Sequence, residues 1–245
     1  MLQRTLSIAL LVTLLLLMGG VSAQAADQVF TVRVENVSAG NILKLSNGKT
    51  SSVAVAPVLY VIHTNRGPLF TSGKPDRGKG LQALAEDGPP GPLAESLKGQ
   101  PGIVSVGFTD TPVGATRPGD IWPGQAYEFK VTAKPGERLT IAMMFAQSND
   151  LFYAPREDGI ALFDASGKPI AGDVTSHILL WDAGTEVNEE PGLGPNTAPL
   201  QPAPHTGRPE HGVVQPISKV KDGFHYPSVG EVLRVTITPG SLARR

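Results

Sequence analysis

"YEFKVTAKPGERLTIAMMF", residues 127–145, predicts two β-strands joined by a tight turn. Apolar and polar residues alternate on both sides of Lys134-Pro135-Gly136-Glu137, and this period of two is typical of half-buried strands. Proline and glycine at the centre of the tetrapeptide favour a turn. The stretch therefore predicts a hairpin-like unit.

Similar short apolar runs, bounded by turn residues, extend in both directions along the chain. They predict strands over residues 30–34, 53–62 (interrupted by Pro57), 103–108, 160–163, 178–181 and 233–237. Strands do not alternate regularly with helices, so a parallel α/β sheet is not indicated. The pattern predicts an all-β fold, an antiparallel β-sandwich.

Two kinds of insertion interrupt the strands. Residues 80–86 and 92–98 predict short helices that end near Gly88 and Gly99. Residues 191–216 carry seven prolines and few apolar residues, which indicates a long loop. Because strands are predicted near both ends, we expect one domain over residues 26–245.

The first 25 residues have the composition of a signal peptide. Arg4 supplies a positive charge, residues 6–18 form an apolar core, and Ala23-Gln24-Ala25 fits a small-x-small cleavage site. The apolar core is shorter than the roughly 20 residues that cross a bilayer as a helix. We therefore expect a periplasmic or secreted protein without a transmembrane segment in the mature chain.

Composition excludes several function classes. The chain has no cysteine, which rules out disulfides, thiolate metal sites and a cysteine nucleophile. The net charge is -1 and no basic stripe is present, so nucleic acid is not an expected partner. The chain contains no G-x-S-x-G motif, which is the sequence signature of serine hydrolases of the nucleophile-elbow type.

An acidic segment follows the predicted strand 178–181. "WDAGTEVNEE", residues 181–190, contains Asp182, Glu186, Glu189 and Glu190, and no lysine or arginine. Ca²⁺ prefers six to eight oxygen ligands, many of them carboxylates. These acids predict either a calcium site or a solvated loop.

A second acid strengthens the calcium interpretation. Asp150 follows the predicted strand that ends at Phe145, so it meets Asp182 and Glu186 if both strands end at the same edge. The apolar residues 151–153 beside it are then expected in the same loop, as part of a binding surface at the end of the sandwich.

Two motifs resemble the spondin N-terminal domain, of the F-spondin type. "SNDLFYAP" (148–155) is followed some thirty residues later by "WDAGTE" (181–186), as S-P-D-W-F-V-G-like and D-A-G-T-D segments follow each other in that family. Further similarity lies in "APVLYVIHT" (56–64), "FTVRVENVS" (30–38) and "VGEVLRVTITP" (229–239). The resemblance implies a C2-like β-sandwich that holds a calcium ion between loops at one end.

The family's three acidic ligands fall on Asp150, Asp182 and Glu186. The chain departs from the family at Asn149, where proline is usual, and at Leu151, where tryptophan is usual. Glu186 replaces an aspartate and still supplies a carboxylate, which in glutamate often binds calcium through both oxygens.

The resemblance implies a non-catalytic calcium-binding module for recognition or adhesion. Its partner would be a protein, a glycan or an envelope surface. A hydrolase that uses the same loop carboxylates, and a metal-free structural domain, are the alternatives. His205 and His211 lie in the proline-rich segment without strand or helix spacing, so the sequence does not favour a transition-metal site.

Overall fold

The structure is a computed structural model, and it describes residues 27–240. The predicted signal peptide, residues 1–25, lies outside the described residues. No helix within the described range is long and apolar enough to cross a membrane.

Thirteen strands make up most of the regular structure in this range. In chain order they are β1 (Gln28–Asn36), β2 (Leu43–Lys44), β3 (Thr50–Ser51), β4 (Val58–His63), β5 (Ile103–Thr109), β6 (Ala126–Ala133), β7 (Arg138–Met144), β8 (Leu151–Pro155), β9 (Ile160–Ala161), β10 (Gly172–Asp173), β11 (Ile178–Asp182), β12 (Gln215–Pro216) and β13 (Leu233–Pro239). Three short α-helices are present: α1 (Leu81–Asp87), α2 (Gly91–Leu97) and α3 (Val229–Val232).

The strands form two main antiparallel sheets. One has the order β10-β13-β1-β6, and the other has the order β12-β11-β8-β7-β4-β5 with β9 paired to β7. A separate ribbon joins β2 to β3. Buried side chains from both main sheets share one core, so the predicted all-β sandwich with short helical insertions is confirmed.

The turn at residues 134–137 connects the two sheets. It closes through a hydrogen bond from Glu137 N to Lys134 O (3.0 Å), as the sequence predicts. However, β6 pairs with β1 and β7 pairs with β4, so the prediction of a hairpin is wrong. Alternation shows which side chains face inward, and the inward side chains of both strands do line one core. It does not show which strand pairs with which through backbone hydrogen bonds.

Three neighbouring strands of the larger sheet, β7, β8 and β11, are buried on both faces. Along β11, Leu180 faces the core between the sheets, whereas Trp181 faces a second core beneath α1 and α2. Phe70 packs on Trp181 with ring centroids 4.7 Å apart. The helical insertion therefore covers the outer face of the strands that lead to the acidic segment.

Residues 151–153 belong to a buried strand. They begin β8, which lies between β7 and β11, and at most 1% of each of these side chains is exposed. The prediction that they form a surface beside the acidic loop is therefore wrong. The helical insertion covers the outward-facing Phe152, and Leu151 and Tyr153 fill the inner core.

Candidate metal centre

Two neighbouring strands bring Asp150 and Asp182 together. β8 and β11 are antiparallel, and Leu151 lies opposite Asp182, the last residue of β11. The ladder continues one step further, where Ala183 N donates to Asp150 O (3.1 Å). The two acids therefore lie at the same edge of the larger sheet.

Gly184 makes the sharp turn after Asp182 possible. Its φ is +67°, and a Cβ at this position would lie 2.6 Å from Val213 N. Its N–H donates to Asp182 Oδ1 (2.6 Å), and its carbonyl accepts from Gly212 N (2.8 Å). Glycine is thus required both by the backbone conformation and by the close segment at residues 212–213.

Asp150 is fully buried and only partly hydrogen-bonded. Its Oδ2 accepts from Thr185 N (3.0 Å) and Glu186 N (3.1 Å). Its Oδ1 has no hydrogen-bond partner among residues 27–240. Within the same range, no salt bridge involves Asp150 or Asp182.

Asp182 shares an amide with a further acid. Asn188 Nδ2 donates to Asp182 Oδ2 (3.2 Å) and to Asp222 Oδ2 (3.2 Å). Tyr226 also donates its hydroxyl to Asp222 Oδ2 (2.5 Å). Asn188 Oδ1 is buried and unpartnered within the described part of the chain.

The third member of the acidic group is Glu210. One carboxylate oxygen from each of Asp150, Asp182 and Glu210 lies within 4.8 Å of the others. Glu210 belongs to the proline-rich loop, which runs beside Glu186 through a bridge at Pro209. Sequence reasoning missed Glu210 because the long loop has no periodicity that would indicate where it folds back, and it missed Asp222 because that residue lies beyond the loop in a stretch with no strand or helix signal.

Glu186 lies beside this group rather than within it. Its backbone N–H binds Asp150, while its carboxylate accepts from Gly207 N (2.8 Å) and Asn149 Nδ2 (3.3 Å). Asn149 Nδ2 also donates to Val187 O (3.0 Å), so Asn149 positions the acidic loop. A role of Glu186 as a metal ligand stays a prediction.

The other two acids of the segment have local hydrogen-bonding roles. Glu189 accepts from Asn196 N (2.8 Å) and Asn196 Nδ2 (2.6 Å). Glu190 accepts from Ser46 N (2.5 Å) and Ser46 Oγ (2.6 Å). These contacts tie the acidic segment to its neighbouring loops.

Burial makes ionisation of the acidic group unfavourable. Burial, and then the charge of Asp182, raise the pKa of Asp150 well above its usual range. Burial raises the pKa of Asp182 to about 6, although the hydrogen bond from Gly184 opposes this shift. Burial also raises the pKa of Glu186, and the negative charge of Glu86 adds to the effect. A bound cation would offset the free-energy cost of holding these buried carboxyl groups in their charged form.

The donor atoms fit a hard divalent cation. All of the clustered ligand atoms are carboxylate oxygens, which suit Ca²⁺ or Mg²⁺ better than soft metals. Oxygens on opposite sides of a calcium ion at about 2.3–2.6 Å lie up to about 5 Å apart. Carboxylate oxygens that all lie within 4.8 Å of one another, together with the unpartnered Asp150 Oδ1, are compatible with one ion.

No protein-family model matches the chain, and a comparison with curated proteins also found no match. The similarity to the spondin domain therefore rests on the sequence motifs alone.

Proposed function

We propose that the protein is an exported, non-catalytic calcium-binding β-sandwich that recognises a partner outside the cell or at the cell envelope. The buried Asp150 Oδ1 carries the metal-binding part of this proposal, because it lacks a hydrogen-bond partner and belongs to a group of three carboxylates. Burying an unpaired charge is costly, and a cation offsets that cost.

Calcium suits this site better than magnesium. Asp150 and Asp182 are fixed at strand ends, whereas Glu210 is exposed on a loop and can adjust its position. Ca²⁺ accepts six to eight oxygens in variable geometry, but Mg²⁺ demands a near-ideal octahedron. In this proposal the ion has a structural role, in which it joins the β8 and β11 ends to the proline-rich loop.

Sequence features support export and recognition. Residues 1–25 have the composition of a signal peptide, and the motifs resemble a domain of extracellular-matrix proteins. A cleft of about 520 Å³ lies beside the acidic loop, with Asp76, Glu186 and His211 among its lining residues. The partner would be a protein, a glycan or an envelope surface.

A hydrolase would use the same acids differently. Carboxylates with a raised pKa can serve as general acids. However, Asp150 and Asp182 are fully buried and do not line the described cleft. Glu186 does line the cleft, but its carboxylate accepts hydrogen bonds from Gly207 N and Asn149 Nδ2. The placement of Asp150 and Asp182 favours metal binding over contact with a substrate.

Thermal melting in calcium and in EDTA tests the proposal. Calcium at a hundred times its dissociation constant would stabilise the fold by about 2.7 kcal/mol. For a domain of this size we expect the melting temperature to rise by about 5–10 °C. Asp182→Asn should abolish the rise, because Asn keeps the acceptor for Gly184 N but loses the charge.

Glu95→Gln is the matched control. Glu95 is exposed and pairs only with Lys98 on the surface of α2, so this variant should keep the full calcium response. Equal melting curves in calcium and EDTA would instead support the metal-free structural alternative. If the wild type does show the calcium response, melting of Glu210→Gln and Glu186→Gln identifies which of these two glutamates supplies the third carboxylate.

A further inference from the structure

A cavity lies between α2 and the start of β5, away from the acidic loop. It has a volume of about 290 Å³, and it shares no lining residue with the cleft beside that loop. Its apolar wall includes Leu69, Leu93, Leu97 and Ile103. The three leucines are buried in the core beneath α1 and α2, so the cavity opens directly onto that core.

Two cationic side chains also line the cavity. Arg77 and Lys79 belong to the segment before α1, and both are exposed. No aspartate or glutamate is among the lining residues, and neither cation forms a salt bridge in the described part of the chain. The cavity therefore has an apolar wall toward the core and an unneutralised positive charge toward solvent.

Neighbouring oxygens hold the Arg77 guanidinium in place. Its Nη1 donates to Gly67 O (2.9 Å), and its Nη2 donates to Thr71 Oγ1 (2.6 Å). These acceptors are uncharged, so they orient the guanidinium without removing its charge. Its Nε makes no hydrogen bond within residues 27–240 and can still donate to a ligand. A guanidinium oriented in this way is well suited to bind a carboxylate.

We propose that this cavity binds a small amphiphilic carboxylate, with its apolar chain against the leucines and its carboxylate at Arg77 and Lys79. Small-molecule sites are mostly apolar with a few polar groups that fix the ligand, and they span about 300–1,000 Å³. The cavity of about 290 Å³ lies at the lower end of this range and corresponds to the volume of about ten water molecules. Octanoate has a comparable size and is the probe used below.

Tight binding requires both parts of the ligand. Acetate carries the same charge as octanoate but leaves the leucines in contact with water, and it should bind at least about tenfold more weakly. Octanol covers the leucines but lacks the charge that pairs with Arg77, and it should also bind at least about tenfold more weakly. These comparisons separate the proposed site from a simple anion site and from an unselective apolar cavity.

Octanoate binding is expected to be independent of calcium. The cavity shares no residue with the Asp150–Asp182–Glu210 group, so Asp182→Asn should bind octanoate as the wild type does. Failure of the calcium proposal would therefore leave this site intact, and failure of this site would leave the calcium proposal intact.

An NMR titration of the isotope-labelled protein with octanoate tests the site. We expect one octanoate per chain and shifts of the backbone amide resonances of Leu93, Leu97 and Ile103, which line the cavity. Parallel titrations with acetate and octanol should produce weaker binding at the same amides.

Variants of the two cations test the role of charge. Arg77→Gln should weaken octanoate binding at least about tenfold, because an oriented charged donor is lost. Lys79→Gln should weaken it about two- to fivefold, as expected for an exposed charge. Lys79 makes no hydrogen bond or salt bridge within residues 27–240, so its replacement should leave the melting temperature unchanged. Lys221→Gln is the matched control, because Lys221 is exposed and does not line the cavity.

Three results would overturn the site. The first is the absence of amide shifts in wild-type protein at millimolar octanoate. The second is equal affinity for octanoate and for either acetate or octanol. The third is an octanoate affinity in both cation variants that equals the affinity of Lys221→Gln.

Discussion

Asp150 and Gly184 define the acidic site at the scale of single residues. Asp150 accepts two backbone N–H groups through Oδ2 and leaves Oδ1 unpartnered within residues 27–240. Those N–H groups belong to Thr185 and Glu186, and the turn at Gly184 aims them at Asp150. The site therefore depends on one backbone conformation as well as on its acids.

Gly184→Ala should destabilise the protein by about 2–3 kcal/mol, because the left-handed conformation is strained and the added Cβ meets Val213 N. Urea unfolding measures the change. Gly230→Ala is the control, since Gly230 has open space at its Cβ position and lies in α3. That variant should be neutral or stabilising by up to about 1 kcal/mol. Equal effects of the two substitutions would contradict the role of Gly184.

The raised pKa of Asp182 predicts a pH-dependent stability in the absence of metal. In the unfolded chain the Asp182 carboxyl group loses its proton near pH 3.8, whereas in the folded protein it keeps the proton up to about pH 6. The folded state binds more protons between these values, so the free energy of unfolding falls as pH rises through this window. The rise of the Asp182 pKa from 3.8 to about 6 corresponds to about 3 kcal/mol at most.

Urea unfolding in EDTA, at several values between about pH 4 and pH 7, measures this loss. His63 acts in the opposite sense, because burial lowers its pKa and its stabilising contribution is lost as pH falls below 6.5. Subtracting the profile of Asp182→Asn removes the His63 contribution. A difference that is flat, or that increases with pH, would show that Asp182 is not held protonated by the fold.

At the scale of elements, β8 and β11 hold the site because both faces of these strands are packed. Alternation and turn residues predicted most strands and both helices of the insertion, since these signals are local. β8 was missed because its five buried residues do not alternate between apolar and polar. The prediction that β6 and β7 pair with each other was also wrong, because β6 pairs with β1 and β7 pairs with β4, which are distant in the chain.

Phe152→Ala should cost about 3–5 kcal/mol, as expected for a fully buried aromatic side chain. Phe108→Ala on the edge strand β5 is the matched control, because Phe108 is 45% exposed and should cost less than about 1 kcal/mol. Denaturant unfolding of both variants measures the contrast. Similar costs would contradict the placement of residues 151–153 in a doubly covered strand.

At the scale of the whole molecule, the sandwich brings distant segments to one end. β1 pairs with β13, so the two ends of the described chain lie in the same sheet. The sequence predicted that Asp150 and Asp182 meet only if the strands 139–145 and 178–181 end at the same edge, whereas in the structure they meet because β8, which was not predicted, begins at Leu151 and pairs with β11. Glu210 could not be predicted because a long loop brings it to the site, and Asp222 could not be predicted because it lies beyond that loop, in a stretch with no strand or helix signal.

The central claim is that the group containing Asp150, Asp182 and Glu210 binds calcium. A calorimetric calcium titration of the wild-type protein, Asp150→Asn and Glu95→Gln tests it most directly. We predict one calcium ion per chain in the wild type and in Glu95→Gln, and at least about tenfold weaker binding in Asp150→Asn, a loss of about 1.4 kcal/mol. Absence of calcium binding to the wild type, or equal affinity in Asp150→Asn, would contradict the claim.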